Sequence, residues 1–288
     1  MAVLGENRYG KAEVRVVRVD RSRQPHAISD WNVSISLAGD MREVHLSGAN
    51  DRVLPTDTQK NTVYAFAQQL GAVEPEVFAL ALARHFVDDR PGISRARVQL
   101  DSYAWSSIGP HSLVRSGGEI RTVTVIHDER SGSWVVGGLR ELTLLNTTDS
   151  EFWGFARDEY TTLAETTDRV LATSVEARWR FRSAESDACD WAAAYQRARQ
   201  ALLDAFTGTY SYSLQQSLYA MGCRVLADAP EVCEVRLALP NKHHFLVDLS
   251  PFGLPNDNEV YLAADRPYGL IEGQVLAEDA PDPGPAWS

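Results

Sequence analysis

The sequence predicts an α+β fold in which antiparallel sheets carry helices on one face. Alternation of apolar and polar residues, clearest from Trp31 to Leu37, indicates strands with one buried face. Apolar residues spaced at i, i+3, i+4 and i+7 indicate pairs of amphipathic helices. Two strands, two helices and two strands occur in that order, and the order then repeats. We therefore expect two halves, 1–140 and 141–276, followed by a disordered Pro- and Asp-rich tail, 277–288.

The first half opens with a strand over residues 13–20 that pairs with the strand around Trp31 as a long hairpin. Its alternation slips in phase near Val17, where we expect a β-bulge. Thr56 and Gln59 match a capping box, which predicts Thr56 as the N-cap of a helix. The other elements predicted here are a helix from Pro75 that ends before Pro91, a strand over 95–105 and a strand over 120–126.

The second half repeats the order after a Leu-rich strand that opens at Leu142. Its later elements are predicted to be a strand over 175–181, a helix over 191–206, a helix capped by Ser213, a strand over 233–239, and short strands near Phe245 and Tyr261. Arg178, Arg180 and Arg182 alternate with apolar residues in the strand over 175–181 and just beyond it. The face opposite the helices is therefore predicted to be polar, lining a water-filled interior or an assembly surface.

Composition excludes several classes of partner. At 288 residues and 44% hydrophobic, the chain is large enough to bury a sizeable core. A formal net charge of −11 argues against nucleic acid and against anionic membranes, so an anionic ligand would need a local positive site. Three cysteines are too few for a disulfide framework. The N-terminal residues lack the apolar core of a signal peptide, and the chain ends without a Ser-Lys-Leu address. We expect a cytoplasmic protein.

The stretch from Leu142 to Arg169 follows neither helical nor strand periodicity beyond its opening strand. It carries three aromatic residues, Phe152, Trp153 and Phe155, together with two arginines. An aromatic face can stack on a flat ring, and a guanidinium offers a planar pair of donors. This stretch is therefore predicted to hold a flat, polar ligand.

The spacing of Phe152, Phe155, Tyr160, Leu163 and Arg169 after a Leu-rich strand resembles the signature of the uricase (urate oxidase) family. Asn146 departs from it, because the family usually has Lys just after the strand. Three further motifs also resemble that family in order along the chain: Tyr9-Gly10-Lys11, Thr56-Asp57 before Lys60-Asn61-Thr62, and Pro240-Asn241-Lys242-His243. The resemblance implies a tandem tunnelling fold (T-fold). It also implies subunits that join into a barrel, and a bacterial homotetramer with active sites at subunit interfaces.

Four residues acquire a catalytic or dioxygen-contacting role only through this resemblance. Taken alone, Lys11 is a solvated strand-end charge and Thr56 a helix cap. The resemblance implies that Lys11, Thr56 and His243 form a proton relay, and that Asn241 faces dioxygen. A lysine that has lost part of its hydration beside a hydroxyl can act as a base near neutral pH. The neighbouring His244 receives no role.

Five further residues are implied to hold the substrate. Arg169 and Gln215 would grip opposite ends of urate, since a guanidinium and a carboxamide each make paired hydrogen bonds to a heterocycle. The backbone N–H of Leu214 assists, and the helix N-terminus at Asp57 offers further N–H groups. Phe152 stacks on the ring, although without the resemblance it is an ordinary core residue. The family places Lys11 and Thr56 on one subunit, with Phe152, Arg169 and Gln215 on its neighbour.

The resemblance implies oxidation of urate by dioxygen and water to 5-hydroxyisourate and hydrogen peroxide, with no metal and no organic cofactor. Two alternatives stay open: another T-fold enzyme that acts on a purine or pterin, and a non-catalytic purine-binding protein. A zinc site built from His243, His244 and the cysteines is not favoured. Cys189, Cys223 and Cys233 lack short ligand spacing and fall in apolar patterns.

Overall fold

A computed structural model describes residues 2–88, 90–185, 187, 189–264 and 266–288. The elements of the first half are β1 (Tyr9–Asp20), β2 (Ala27–Gly39), α1 (Arg42–Leu46), α2 (Thr56–Gln69), α3 (Pro75–Asp88), β3 (Ile93–Ser102), β4 (Trp105–Ser107), β5 (Leu113–Arg115) and β6 (Ile120–Asp128). The later elements are β7 (Gly132–Asn146), β8 (Leu171–Phe181), α4 (Trp191–Gly208), α5 (Leu214–Asp228), β9 (Val232–Asn241), β10 (His244–Leu246), β11 (Tyr261–Ala263) and β12 (Gly269–Leu276).

Eight strands form one antiparallel sheet in the order β1-β2-β3-β6-β7-β8-β9-β12. Helices α2 and α3 pack on the strands of the first half, and α4 and α5 pack on those of the second. The predicted α+β fold with helices on an antiparallel sheet is confirmed. Within the described residues β1 and β12 each pair on one side only, so the sheet has two free edges.

The core lies between the helices and the sheet. Trp31 of β2 packs on Phe78 of α3 with ring centroids 4.6 Å apart, and Trp179 of β8 lies 6.0 Å from Tyr195 of α4. Each pair joins an alternating strand position to the apolar stripe of a helix, as the two periodicities require. The same arrangement occurs once in each half of the sheet.

The bulge in β1 is not at Val17. The register between β1 and β2 shifts between Lys11 and Val14, and Glu13 adopts a φ of 56°. The backbone N–H of Glu13 leaves the ladder and donates to the hydroxyl of Ser34 at 3.0 Å. Val17 instead points to solvent and is 55% exposed, so the slip in apolar phase reflects exposure of a valine. The bulge directly follows Lys11 and bends the strand there.

The tail 277–288, expected to be disordered, packs on the polar face of the sheet. Arg180, expected on a wet face, is buried and donates from Nε to Glu234 at 2.9 Å and from Nη2 to the carbonyl of Pro281 at 2.8 Å. Asp279 pairs with Arg182 at 2.8 Å. A guanidinium removed from water needs acceptors for its donors, and the tail supplies some of them.

The division at residue 140 stays a prediction. β7 runs continuously from Gly132 to Asn146 across that position, although its pairing with β8 shifts register between Leu139 and Leu142. Among the described residues, no helix is long and apolar enough to cross a membrane.

Candidate functional site

The central loop between β7 and β8 is irregular, as predicted, but its ends are tied together. Phe152 and Thr166 exchange backbone hydrogen bonds of 2.8 and 3.0 Å, and the N–H of Arg169 donates to the carbonyl of Ser150 at 2.9 Å. The ring of Phe152 stacks on Phe155 with centroids 5.0 Å apart. These contacts bring Phe152 and Arg169, seventeen positions apart in the sequence, to one end of the loop.

The guanidinium of Arg169 is half-buried and carries a positive charge without a carboxylate partner among the described residues. Its Nε donates to the hydroxyl of Ser150 at 3.2 Å, and its Cζ lies 5.3 Å from the centroid of Phe152. Burial lowers the pKa of Arg169, because the charged form has lost part of its hydration. A cation in this state favours an anionic ligand that restores the missing interactions.

The N-terminus of α5 lies beside Arg169. The backbone N–H of Glu151 donates to the carbonyl of Ser211 at 2.9 Å, and the N–H of Ser211 donates to the carbonyl of Asp149 at 3.0 Å. Ser213, two residues later, is the N-cap as predicted, and its hydroxyl accepts from the N–H of Gln216.

The N–H groups of Leu214 and Gln215 find no acceptor in the part of the chain that the structure describes. Free N–H groups at the start of a fifteen-residue helix are a ready site for an anion. The side chain of Gln215 is exposed.

Asn241 and His243 lie at the same end of the sheet as Arg169. Asn241 ends β9 and is the register partner of Thr173 in β8, four residues after Arg169. The N–H of Lys242 donates to the carbonyl of Ala172 at 2.8 Å. His243 is half-buried, and its ring stacks on Phe245 at a centroid distance of 5.7 Å. Asn241 and His243 lie at or just after the end of β9, which pairs with β8, the strand that follows Arg169. One chain therefore contributes Arg169, Asn241 and His243 to the same region.

Lys11 and Thr56 are held together near the other edge of the sheet. The phenol of Tyr9 accepts from the backbone N–H of Leu54 at 2.9 Å, which fixes the entry to α2 against β1. A side chain at Gly10 would bring its Cβ within 1.8 Å of the carbonyl oxygen of Ile35. In the Tyr-Gly-Lys motif, Tyr9 thus anchors the start of α2, Gly10 allows β2 to approach closely, and Lys11 lies next to the bulge.

Thr56 is not the helix N-cap. That position is Pro55, which has no side-chain oxygen, and Thr56 is the first residue of α2. Gln59 does not close a capping box either, because its Nε2 donates to the carbonyl of Leu54 at 3.2 Å. Proline is common at the start of a helix, so α2 can begin after Pro55 without a side-chain cap. Thr56 is half-buried, and its hydroxyl has no protein partner among the described residues, which leaves it available to a ligand.

The carboxylate of Asp57 is engaged locally. It accepts from Lys60 and from Nδ2 of Asn61, the latter at 3.0 Å. Hydrogen bonding and charge from Lys60 lower the pKa of Asp57, with smaller effects from Asn61 and from the charge of Lys11. Lys11 is therefore close enough to influence this carboxylate. A negatively charged side chain repels an anion, so Asp57 can serve one only through its backbone N–H.

A single chain does not bring the two groups of residues together. β1, which carries Lys11, and β9, which ends at Asn241, are six steps apart in the strand order. At the ordinary spacing between strands this separation is about 29 Å along the sheet. The arrangement therefore consists of two half-sites, one with Lys11, Thr56 and Asp57, the other with the remaining predicted residues.

Sequence reasoning missed Ser150 and Ser211, which touch or support the half-sites. Ser150 and Ser211 are buried in an otherwise polar, aperiodic region, where no hydrophobic period marks a buried serine. Tyr9 was named in the Tyr-Gly-Lys motif but received no role, and the structure shows that it accepts from the N–H of Leu54.

The residues of the disfavoured zinc site are engaged otherwise. His244 Nδ1 lies 3.0 Å from the carbonyl of Lys242. Burial raises the pKa of the Cys189 thiol to about 11, and burial also raises the pKa of Cys233. Over the described ranges, no three His, Cys, Asp or Glu side chains cluster in a way that could hold a metal ion.

Comparison with known proteins gives one consistent family. A family model described as Uricase matches residues 7–126 and 135–272. A uricase of Arthrobacter globiformis is 48% identical over 288 residues, which cover 99% of this chain and 94% of the relative. A uricase of Oryctolagus cuniculus is 34% identical, covering 93% of this chain and 92% of the relative.

Solved structures agree with the sequence comparison. The crystal structure of uricase from Arthrobacter globiformis has a TM-score of 0.95 at 47% identity and covers 100% of this chain and 99% of that chain. A uricase from Bacillus fastidious, 24% identical, has a TM-score of 0.82 over 96% of both chains and shares the fold.

Proposed function

Because this chain belongs to the uricase family, we propose that it oxidises urate with dioxygen and water to 5-hydroxyisourate and hydrogen peroxide, using no metal and no organic cofactor. Family membership makes the chain an oxidoreductase with urate oxidase function. In the proposed reaction two electrons pass from urate to dioxygen, and two protons accompany them to form peroxide. Water supplies the hydroxyl group of the product. Deprotonated urate is electron-rich, so the protein has to hold the ring, move protons and exclude bulk solvent.

Arg169 and the N-terminus of α5 bind the urate anion in this proposal. The observation that carries it is a half-buried guanidinium next to the N–H groups of Leu214 and Gln215, none of which has a carboxylate or backbone acceptor within the described part of the chain. The Nη1–Nη2 fork of Arg169 and the carboxamide of Gln215 each make paired hydrogen bonds to the purine edge. Phe152, already within stacking distance of Arg169, packs against the ring.

Lys11, Thr56 and His243 move the protons, and the carboxamide of Asn241 orients dioxygen or water. Thr56 is half-buried and its hydroxyl has no partner in the described ranges, which supports its role as a contact to a ligand. Lys11 lies next to the bulge in β1. General acid–base groups of this kind contribute rate by being held within hydrogen-bond reach of the reacting atoms.

The complete site forms between subunits of a homotetramer. The strand order supports this proposal, because the two half-sites lie at separated positions of one sheet. The unpaired edges β1 and β12 support barrel closure by a second copy, since exposed edges favour pairing with another strand. Phe245, Leu246 and Leu262 on the β10–β11 hairpin are each about half exposed, which further supports an assembly surface.

The activity is tested by following urate consumption and peroxide release in air, with and without a metal chelator. Equal rates in both arms are expected. A rate abolished by chelation and restored by a metal would overturn the cofactor-free part of the proposal. No urate consumption, with urate still bound, would leave a purine-binding protein instead.

The shared site is tested, at urate concentrations well below saturation, by mixing two variants of strongly reduced activity, Lys11→Ala and Arg169→Ala. Each hybrid interface that takes Arg169 from the first variant and Lys11 from the second is intact. Random assembly of an equal mixture makes about a quarter of the sites intact, so about a quarter of wild-type activity should return after co-refolding. Mixed chains that stay as inactive as the separate variants would refute a site shared between subunits.

A further inference from the structure

Three buried serines join the two parts of the substrate-binding half-site. Ser150 contacts Arg169 and the loop, while Ser211 and Ser217 lie at the start of α5. All three are at most 2% exposed. Hydroxyl groups are rarely buried so completely without a hydrogen-bond partner, because an unpaired hydroxyl loses its bonds to water and gains none in the protein. We call these residues the serine chain.

The serine chain is held together by side-chain contacts at its two ends and by backbone hydrogen bonds between them. The hydroxyl of Ser150 accepts from Nε of Arg169 at 3.2 Å, and its main chain is bracketed by two backbone hydrogen bonds that join residues 149 and 151 to Ser211. The hydroxyl of Ser211 donates to the carbonyl of Ser213 at 3.1 Å and lies 2.8 Å from the hydroxyl of Ser217. Either hydroxyl can be the donor in the contact between them, and the hydroxyl of Ser217 also lies 3.4 Å from the carbonyl of Ser213.

These contacts fix both protein groups that would hold the ligand, the Arg169 guanidinium and the N-terminus of α5. With Nε taken by Ser150, the Nη1–Nη2 fork is the part of Arg169 left for a ligand. At the other end, Ser211 and Ser217 hold the first turn of α5, where the N–H groups of Leu214 and Gln215 have no acceptor among the described residues. The gap between the fork and the helix N-terminus is therefore set by buried protein contacts that exist before the ligand arrives.

We propose that the serine chain is a positioning device that fixes the distance between the Arg169 guanidinium and the α5 N-terminus, and so selects planar anions of one length. This proposal rests on urate oxidation by the chain. Ser150 acts through Arg169 and does not touch the substrate. Its loss would leave Nε unpaired and the guanidinium free to rotate away from its binding orientation.

The test measures binding of urate without dioxygen, and turnover in air, for Ser150→Ala, Arg169→Ala and the double variant. Ser150→Ala is expected to weaken urate binding about 10-fold, which corresponds to about 1.4 kcal/mol. Its kcat is expected to change less than about threefold, because the proton-moving residues are untouched. In the Arg169→Ala background, Ser150→Ala should have no further effect on binding, since the two act as one unit.

A merely structural role for Ser150 predicts the opposite pattern. Additive losses in the double variant, or unchanged urate affinity in a folded Ser150→Ala protein, would overturn the proposal. Ser133→Ala is the matched control, since it removes a hydroxyl bound to a ring nitrogen of His127 far from this site. It should leave urate affinity unchanged. If wild-type protein binds no urate, the proposed function fails before the serine chain is tested.

A second variant covers the case in which Ser150→Ala does not fold. Ser150→Cys preserves the volume of the side chain but replaces a strong acceptor with a weak one. It should show the same loss of affinity and the same non-additivity with Arg169→Ala. A Ser150→Cys protein with wild-type affinity would also overturn the proposal.

Discussion

Removal of the Arg169 guanidinium should weaken urate binding by about two orders of magnitude. Its free fork can form two charge-assisted hydrogen bonds, worth about 1.5–3 kcal/mol each. Because the side chain is only half-buried, solvent screens part of this energy, and we take the lower end, about 3 kcal/mol. That value corresponds to an increase in Kd of about 100-fold for Arg169→Ala. Arg169→Lys retains the charge but loses the fork and the Ser150 contact, so it should cost about 10-fold.

Binding is measured by titration calorimetry under nitrogen, so that urate is not consumed. Arg157→Ala is the control, because Arg157 lies in the same loop and stacks on Phe155 at 5.0 Å, much as Arg169 stacks on Phe152. Arg157→Ala removes one positive charge from the same loop and leaves the Nη1–Nη2 fork of Arg169 in place. Affinity that falls equally in both variants would show that general electrostatic attraction, and not the fork, holds urate. Wild-type affinity in Arg169→Ala would refute the assigned binding role.

Three further outcomes follow from the structure. Lys11→Met should lower kcat by about 100-fold or more while urate affinity changes little, as anaerobic binding and steady-state assays will show. Gly10→Ala should destabilise the chain by about 3 kcal/mol or prevent folding, because the added Cβ meets a carbonyl oxygen at 1.8 Å, whereas Gly118→Ala, with open space around it, should not alter thermal unfolding. Burial acts to raise the pKa of Asp128, but hydrogen bonds led by that from Ser131 outweigh it and lower the pKa to about 2. This carboxylate therefore stabilises the fold above its unfolded pKa. The contribution, about 1 kcal/mol after screening, should disappear between about pH 4 and pH 2 in acid denaturation and be absent in Asp128→Asn.

Local patterns were sufficient for most elements because they reflect local physical requirements. The alternation in β2 and the helical spacing in α3 and α4 come from which residues must face the core, and that periodicity is visible in a single chain segment. Capping was harder. Ser213 caps α5 as predicted, whereas Thr56 does not cap α2, because the helix already begins at Thr56 and Pro55 occupies the cap position.

Buried polar contacts were beyond sequence reasoning. Arg180 alternates in β8 as a solvent-facing residue would, yet it is 2% exposed because Glu234 and the tail cover it. Ser150 likewise carries no apolar signal, and its role depends on Arg169 nineteen residues away. Such contacts join segments that are distant in the chain, so no window of neighbouring residues contains the information.

Motifs and periodicity were enough to predict most of the elements and the family, and to name candidate site residues whose roles stay predictions. The order of strands in the sheet was not among these results, because hydrogen bonding between strands depends on the path of the whole chain. That order places the strand that ends at Asn241 beside β8, which follows Arg169, and separates it from β1, which carries Lys11, by about 29 Å along the sheet. Proximity in space, unlike a helical or strand period, is a property of the folded chain as a whole.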